Sequence, residues 1–302
     1  MSPPRRVLLA LCSAVGVGAC FWGADLGGFS GGDVADASGS SADGGEGGAL
    51  PDGGSGGSDA AEAPLGDAGA LPFCATYGAD AAVCADFDES ATVSDGFDQV
   101  VSIASSGQAT TGNGERDTSA FLSGPASLHV TVPPFTASPE RWVAWFLRRE
   151  VRAPAAGRVH LEVAVRPNKL GPQPTMGGYA DTEVFNVVLH EQRDGAASYV
   201  LTLTASEGLT RLIEATSTTD TANHFLRKRL TVGQWSRLAL DLDFAAKTIR
   251  MTSDGVDVFD GARPMLTGAT GGYVQLEVGT PAAYHEAGAS LNIDDVLLRV
   301  EP

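Results

Sequence analysis

The sequence predicts an all-β fold, an antiparallel β-sandwich, in the C-terminal three quarters of the chain. From Phe73 onward, apolar and polar residues alternate with a period of two in one segment after another, which is typical of strands with one buried face. Turn residues separate these short segments, and no convincing alternation of strands with helices occurs between them. The pattern therefore favours two antiparallel sheets packed face to face over a parallel sheet with crossover helices.

Residues 1–19 have the organisation of a secretory signal peptide. A basic start precedes an apolar run from Val7 to Ala19, which is shorter than the ~20 residues that a permanent membrane-spanning helix needs. The end of the run, "VGAC", resembles a bacterial lipobox, and this resemblance implies cleavage before Cys20 and attachment of acyl chains to that residue. An ordinary signal peptide cut nearby is the alternative. Phe21, in place of Asp, resembles the signal for outer-membrane sorting.

Residues 20–72 are predicted to form a flexible tether. Gly, Ser, Ala and Asp dominate this segment, and all of its ionisable side chains are acidic. Such a composition offers too little apolar surface to offset the entropy of ordering the chain. The glycine clusters lack the fixed spacing of calcium-binding repeats and the Lys-Ser/Thr of a phosphate loop. We interpret the segment as a spacer between the membrane and a folded domain at 73–302.

The four cysteines divide into two groups. Cys12 lies in the signal peptide and Cys20 is the lipidation candidate, which leaves Cys74 and Cys84. Export places this pair in an environment that permits disulfides. Two thiols ten positions apart are too few ligands for a metal, and no Cys or His cluster supplies more. We therefore predict a Cys74–Cys84 disulfide.

The strands of the predicted domain are read from the alternation. "GRVHLEVAVRP" places Val159, Leu161, Val163 and Val165 on one face, and six further segments repeat the pattern: "SLHVTV", "TEVFNVVLHE", "SYVLTLTA", "WSRLALDLDF", "YVQLEV" and "LNIDDVLLRV". Asp254-Gly255 predicts a tight hairpin. "PERWVAWFLRREV" remains ambiguous, because its nearly continuous apolar residues fit either a helix or a strand buried on both faces.

The formal net charge of −17 limits the possible partners. There are 20 Lys and Arg residues against 37 Asp and Glu residues. This balance repels phosphate backbones and anionic bilayer surfaces, so we expect no nucleic-acid partner and membrane attachment only through the lipid. The cationic stretch 227–229 is interpreted as a solvated hairpin.

Three motifs resemble the concanavalin A-like lectin/glucanase superfamily of laminin G-like jelly rolls. They are "VCADFDES" near the start, "GQWSRLALDLDFAAKTIRMTSDGVDVFDG" in the middle and "LNIDDVLLRV" at the end. The resemblance implies an antiparallel jelly-roll β-sandwich over 73–302. It implies function only broadly, because this fold hosts lectins, glycosidases, lyases and adhesion modules.

The resemblance also raises a calcium hypothesis for Asp86, Asp88, Asp294 and Asp295. In many jelly-roll modules the first and last strands lie side by side and share a structural Ca²⁺, which prefers carboxylate and carbonyl oxygens. Asp86 and Asp88 are two positions apart and so point to the same face of a strand. The alternative is that these acids cap strand ends or face solvent.

The catalytic patterns that the resemblance implies are incomplete. The glycosidases of the superfamily carry Glu-x-Asp-x-Glu on one strand, and the nearest match is "YADTE", with Asp181 and Glu183 present but Tyr179 in place of the first Glu. The lyases need a Gln/His strand paired with a Tyr strand. The histidines are scattered singly, and we interpret each as a surface or structural residue: His129, His160, His190, His224 and His285.

Sugar binding is the remaining possibility. Lectin-like sites stack a sugar on an exposed aromatic ring and bind its hydroxyls with polar side chains. Trp142, Tyr179 and Tyr273 are our ligand-binding candidates, although aromatic residues make up only 7% of the chain. Trp142 and Trp145 have opposite parity on a strand, so at most one of them faces a ligand.

These observations predict an exported bacterial lipoprotein, held in the envelope at the outer membrane or cell surface. Its sandwich domain is expected to bind extracellular or envelope glycans without catalysis. The alternatives are a glycan-degrading enzyme, either glycosidase or lyase, with an unrecognised site, or a structural envelope module that binds protein. The last of these predicts an exposed apolar patch.

Overall fold

The computed structural model describes residues 72–88, 92–105, 111–135, 142–153, 157–173, 181–190, 197–216, 221–262, 272–284 and 287–302. The predicted signal peptide, Cys20 and almost all of the predicted tether lie outside these residues, as do Tyr179 and His285. The described part contains one short helix and fifteen strands, numbered in chain order. It contains no helix long and apolar enough to cross a membrane.

The strands form two sheets in which every pair is antiparallel. In spatial order, the eight-stranded sheet consists of β13 (Val256–Ala262), β12 (Thr248–Ser253), β11 (Ser236–Asp243), β6 (Arg158–Lys169), β15 (Ala289–Glu301), β4 (Ser127–Val132) and β3 (Asn113–Asp117), with β1 (Val83–Ala85) also paired to β15. The seven-stranded sheet consists of β10 (Thr221–Phe225), β9 (Leu209–Thr216), β8 (Ala197–Ser206), β7 (Thr182–His190), β14 (Tyr273–Ala283), β5 (Val143–Arg152) and β2 (Gln99–Ala104).

The core lies between the two sheets, as the alternation predicts. The apolar row of β6 is buried there and belongs to the same cluster as Leu147 of β5, Leu201 of β8 and Leu276 of β14. The predicted all-β, antiparallel jelly-roll sandwich is thereby confirmed. The face of the seven-stranded sheet that points away from this core is called the outer face below.

The ambiguous apolar segment contains the strand β5. Its core-facing side chains, such as Leu147, and its outward Phe146 are both buried. Trp145 points into the sandwich, where its indole ring lies against Gly114 of β3 in the opposite sheet. The strand lies inside its sheet between β14 and β2, and burial on both faces explains why no alternation appears in its sequence.

Two local predictions are also confirmed. Asp254 and Gly255 connect β12 to β13 with φ values of 53° and 76°, which is the conformation that this type of hairpin turn requires. Cys74 of the helix α1 (Phe73–Tyr77) is bonded to Cys84 of β1, with a Cα–Cα distance of 5.7 Å.

Candidate functional site

A row of polar side chains crosses the outer face of the seven-stranded sheet. The strand register places these residues opposite one another on five adjacent strands, from the edge strand β2 to β8: Gln99, Arg148, Glu277, Asn186 and Thr202. Residues that are paired across strands project from the same face, so their side chains are neighbours. We call this set the polar row.

The sequence produces the row because polar residues occupy alternate positions in strands that are otherwise apolar. In β7, Phe185, Val187 and Leu189 point into the core, whereas Asn186 points outward. In β14, Leu276 points into the core and Glu277 outward. All of these side chains are buried, polar ones included.

A register shift in β7 adds Glu183 to this face. The pairing with β8 changes between Glu183 and Phe185, and Glu183 lies opposite Thr204. Because of this irregularity, the Glu183 carboxyl group approaches Asn186 three residues further on, at 3.4 Å between Oε2 and Nδ2. A regular strand would have placed positions 183 and 186 on opposite faces.

Glu277 is the centre of the hydrogen-bond network. Arg148 donates to its Oε1 from Nε at 3.2 Å and from Nη2 at 2.9 Å, and Gln275 donates to the same oxygen at 2.8 Å. Asn186 Nδ2 donates to the other oxygen, Oε2, at 2.9 Å. Arg148 therefore forms an ion pair with Glu277 in the middle of the row.

Glu183, the second carboxyl group that contacts Asn186, lies in a different environment. Burial raises its pKa to about 8, and repulsion from Glu277 and Asp181 adds to the effect, while the hydrogen bond from Asn186 opposes it. Glu183 is therefore mostly protonated at neutral pH. The two carboxyl groups that contact Asn186 thus lie in different surroundings, since Glu277 is ion-paired with Arg148 and Glu183 is buried beside other carboxyl groups.

Several buried polar atoms of the outer face have no hydrogen-bond partner in the described part of the chain. They include Thr202 Oγ1, Asn186 Oδ1 and both ring nitrogens of His190. Thr202 is fully buried and lies directly opposite Asn186, and His190 is 9% exposed. A buried polar group without a partner costs about 1–3 kcal/mol, so a hydrogen-bonding partner for these atoms would stabilise this face.

The positive charges beside the site are already paired. Arg211 of β9 binds Asp181 and donates to Thr204 Oγ1 at 3.3 Å, and Arg148 binds Glu277. The two arginines nearest the carboxyl groups therefore have carboxylate partners, whereas Arg152, opposite Tyr273 on the same face, is exposed.

Of the three aromatic residues predicted to bind a sugar, two lie in the described part of the chain. Tyr273 is half-buried on the outer face, opposite His190 and Arg152. Trp142 is half-buried just before the other end of β5, and the ten positions from it to Arg152 correspond to about 30 Å of strand. One sugar ring therefore cannot contact both. Tyr179 lies outside the described residues, and Trp145 belongs to the core.

The four aspartates of the calcium hypothesis are close neighbours. The pKa of Asp88 is raised to about 6 by burial and by the charges of Asp86 and Asp295, and that of Asp294 to about 8 by burial and by Asp295. Asp295 has a φ of 49° and lies in an irregular part of β15. The register between β15 and β6 shifts there, directly after Asp294.

Several carboxylate oxygens of these aspartates already accept hydrogen bonds or bind an arginine. Asp294 accepts backbone N–H bonds from Leu122 at 2.9 Å and Ser123 at 3.1 Å, and Asp295 binds Arg237. Within the described ranges, no three His, Cys, Asp or Glu side chains are grouped to hold a metal ion. Calcium binding stays a prediction.

The other described histidines have structural partners. His160 on the eight-stranded sheet lies 2.6 Å from Asp241 and 3.0 Å from Glu162, and these hydrogen bonds raise its pKa to about 9. His129 contacts Ser290 at 2.8 Å, and His224 contacts Glu214 at 3.3 Å. His190 differs from them, since it faces Tyr273 across β7 and β14.

Sequence reasoning missed most of this site. Arg148, Asn186, Gln275 and Glu277 were not selected, and Glu183 was considered only within a one-strand motif. A signal was present in "TEVFNVVLH" and "YVQLEV", where Asn, Gln and Glu occupy alternate positions of very apolar strands. Alternation shows that such residues share a face, but it does not show that this face is buried.

The fold defines the class of protein, an antiparallel jelly-roll β-sandwich. No protein-family model and no curated protein matches the sequence. Solved structures of similar architecture include an endo-β-1,4-glucuronan lyase from the fungus Trichoderma reesei, at 13% identity and a TM-score of 0.49, covering 73% of this chain and 96% of that one.

Two further structures show the range of proteins with this architecture. The cellulose-induced protein Cip1 has 14% identity and a TM-score of 0.48, with 72% of this chain and 96% of that chain covered. The binding domain of the Paraclostridial mosquitocidal protein 1 has 7% identity and a TM-score of 0.47, covering 74% and 50%. The function proposed below is drawn from this chain's own residues.

Proposed function

We propose that the outer face of the seven-stranded sheet binds a glycan chain. The observation that carries this proposal is the polar row, with unpartnered buried atoms on its members Thr202 and Asn186 and on His190 of the same face. Sugar hydroxyls both donate and accept hydrogen bonds, so they match a face that offers amide, hydroxyl and imidazole groups together. Tyr273 provides an aromatic surface at one end of the same face.

A protein-binding module fits the surface less well. The large exposed apolar side chains of the described residues are scattered over separate elements: Tyr77, Val100, Leu122, Phe225, Val232 and Val256. An interface would bring such residues together in one patch.

The cellular setting of this function is part of the proposal. A lipid on Cys20 and the acidic spacer of residues 20–72 would hold the domain at the bacterial envelope, within reach of surface glycans. Metabolic labelling with an alkyne fatty acid tests the anchor. The label should be incorporated into the wild-type protein and lost in Cys20→Ser, while Cys12→Ser leaves the size of the mature protein unchanged.

The binding proposal is tested with a glycan array and the purified protein, in calcium and again in chelator. We expect binding to a defined glycan class, weakened about 3- to 10-fold by Thr202→Val, since one hydrogen bond is lost. The same variant should melt at or above the wild-type temperature, because valine has the same shape and no unpaired hydroxyl.

Matched controls separate binding from folding in this experiment. Thr252→Val on the other sheet and Tyr77→Ala on α1 should leave binding unchanged, whereas Tyr273→Ala should weaken it. Failure to bind any glycan in either buffer contradicts the proposal. A higher melting temperature in calcium, lost in Asp88→Asn, would support the calcium prediction.

A further inference from the structure

We propose that the glycan-binding face also hydrolyses its ligand, with Glu183 as proton donor and Glu277 as nucleophile. This inference rests on the proposed binding function and extends it to a glycosidase that acts on a neutral glycan. It differs from the one-strand Glu-x-Asp-x-Glu arrangement, since the two carboxyl groups come from the adjacent strands β7 and β14.

The distance between the carboxyl groups supports this pairing. Glu183 Oε2 and Glu277 Oε2 lie 3.4 Å and 2.9 Å from the same atom, Asn186 Nδ2. The two oxygens are therefore at most about 6.3 Å apart, a bound that includes the ~5–5.5 Å of retaining glycosidases and lies below the ~6.5–9.5 Å of inverting ones. We assign a retaining mechanism for this reason.

The surroundings assign a different role to each group. Glu277 Oε1 accepts hydrogen bonds from Arg148 and Gln275, whereas Asn186 is the one donor to its Oε2 among the described residues. Glu183 holds a proton at neutral pH because it is buried beside other carboxylates. A carboxyl group that holds its proton, beside a second one that is paired with an arginine, suits the roles of acid and nucleophile.

An independent feature indicates that this cluster faces a ligand. Thr202 is fully buried opposite Asn186, and its hydroxyl group has no partner among the described residues. For His190, on the same face of β7, both ring nitrogens likewise lack a partner in the part of the chain that the structure describes. Neither side chain is needed to hold the carboxyl pair together.

The reaction balances with water as the only co-reactant. Glu277 Oε2 attacks the anomeric carbon while Glu183 transfers its proton to the glycosidic oxygen, so the C–O bond breaks and the leaving sugar departs as an alcohol. Water then attacks the anomeric carbon of the glycosyl ester. Glu183, now a carboxylate, takes the proton of this water, and Glu277 is released.

The charges of the face select a neutral glycan. Both nearby arginines are engaged, Arg148 with Glu277 and Arg211 with Asp181. A uronate carboxylate at this site would meet Glu277 and Asp181 without an unpaired buried cation among the described residues. Like charges at short range disfavour such a ligand.

The test measures release of reducing ends from neutral polysaccharides (β-glucans, xylan, mannan and galactan), with alginate and pectate as anionic comparisons. We expect activity on a neutral polymer only, reduced at least about 100-fold by Glu183→Gln and by Glu277→Gln. The control Glu207→Gln, in the exposed turn after β8, should keep full activity. Azide should restore turnover to Glu277→Ala, because it replaces the lost nucleophile.

Two wild-type measurements keep the proposal falsifiable if a variant does not fold. Proton NMR of the first product should show a retained anomeric configuration, and the rate should fall above pH 8 as Glu183 loses its proton. Glycan binding without release of reducing ends overturns hydrolysis and leaves the binding proposal intact. An unsaturated product or an inverted anomer overturns this mechanism, and absence of both binding and release overturns both proposals.

Discussion

At the scale of single residues, Gly114 shows how tightly the two sheets are packed. A Cβ atom at this position of β3 would lie 2.0 Å from Cη2 and 2.2 Å from Cζ2 of Trp145, which projects from the opposite sheet. An indole ring packed in the core cannot move by that much without displacing its neighbours. The absence of a side chain at position 114 is therefore required by a contact between sheets.

We expect Gly114→Ala to destabilise the protein by about 1–3 kcal/mol, because the added methyl group overpacks the core. Urea unfolding followed by tryptophan fluorescence measures this change. Glu115→Ala, at the adjacent exposed position, is the control and should have almost no effect. Equal stability of the two variants would show that Trp145 does not occupy this contact.

At the scale of elements, the start of the described domain depends on the disulfide. The helix α1 has five residues and β1 has three, so neither forms enough internal hydrogen bonds to be stable alone. Strand β1 is held by pairing with β15, and the bond between Cys74 and Cys84 joins α1 to it. The backbone N–H of Cys74 also donates to Asp86 at 3.1 Å.

Replacing Cys74 and Cys84 together with Ser should lower the free energy of unfolding by about 2–3 kcal/mol, because the short loop gains freedom in the unfolded chain. Thermal melting with and without reductant measures the effect. Reductant should lower the melting temperature of the wild type to that of the double variant and should not change the variant. A wild-type melting temperature insensitive to reductant would contradict this account.

At the scale of the whole molecule, buried acids make stability depend on pH. The folded-state pKa values of Glu183 and Asp294 are raised to about 8 by burial, and that of His160 is raised to about 9 by Asp241 and Glu162. In the folded state these groups retain protons that the unfolded chain releases at lower pH. Their contribution to stability is therefore fully present below the unfolded-state pKa values, declines above them, and is lost once the pH has risen through the folded-state values of about 8 to 9.

The melting temperature should accordingly be higher at pH 6 than at pH 9. Asp294→Asn should reduce this difference, since asparagine cannot lose a proton, while Asp80→Asn at an exposed position should leave it unchanged. Differential scanning calorimetry across this range measures the slope. A melting temperature that rises toward pH 9 would show that these groups are solvated rather than buried.

The sequence predicted features that depend on neighbouring positions. The alternation of Val159, Leu161, Val163 and Val165 identifies β6 because side chains two apart share one face of a strand. The Asp254-Gly255 turn and the Cys74–Cys84 disulfide are also local, at one and ten positions of separation. The segment around Trp145 was left open because burial on both faces removes the period that distinguishes a strand from a helix.

The candidate site was decided by tertiary structure. Arg148 and Glu277 are 129 residues apart, and Asn186 and Glu277 are 91 apart, so they meet only because β14 pairs with both β5 and β7. No local pattern specifies that order of strands or their register. Burial then sets the protonation of Glu183, and burial is a property of the assembled sheets. The sequence by itself thus determined which segments are strands and that they form a sandwich, because side-chain direction along a strand is local. Only the tertiary structure decided which polar residues meet, since pairing of distant strands depends on the packing of the whole domain.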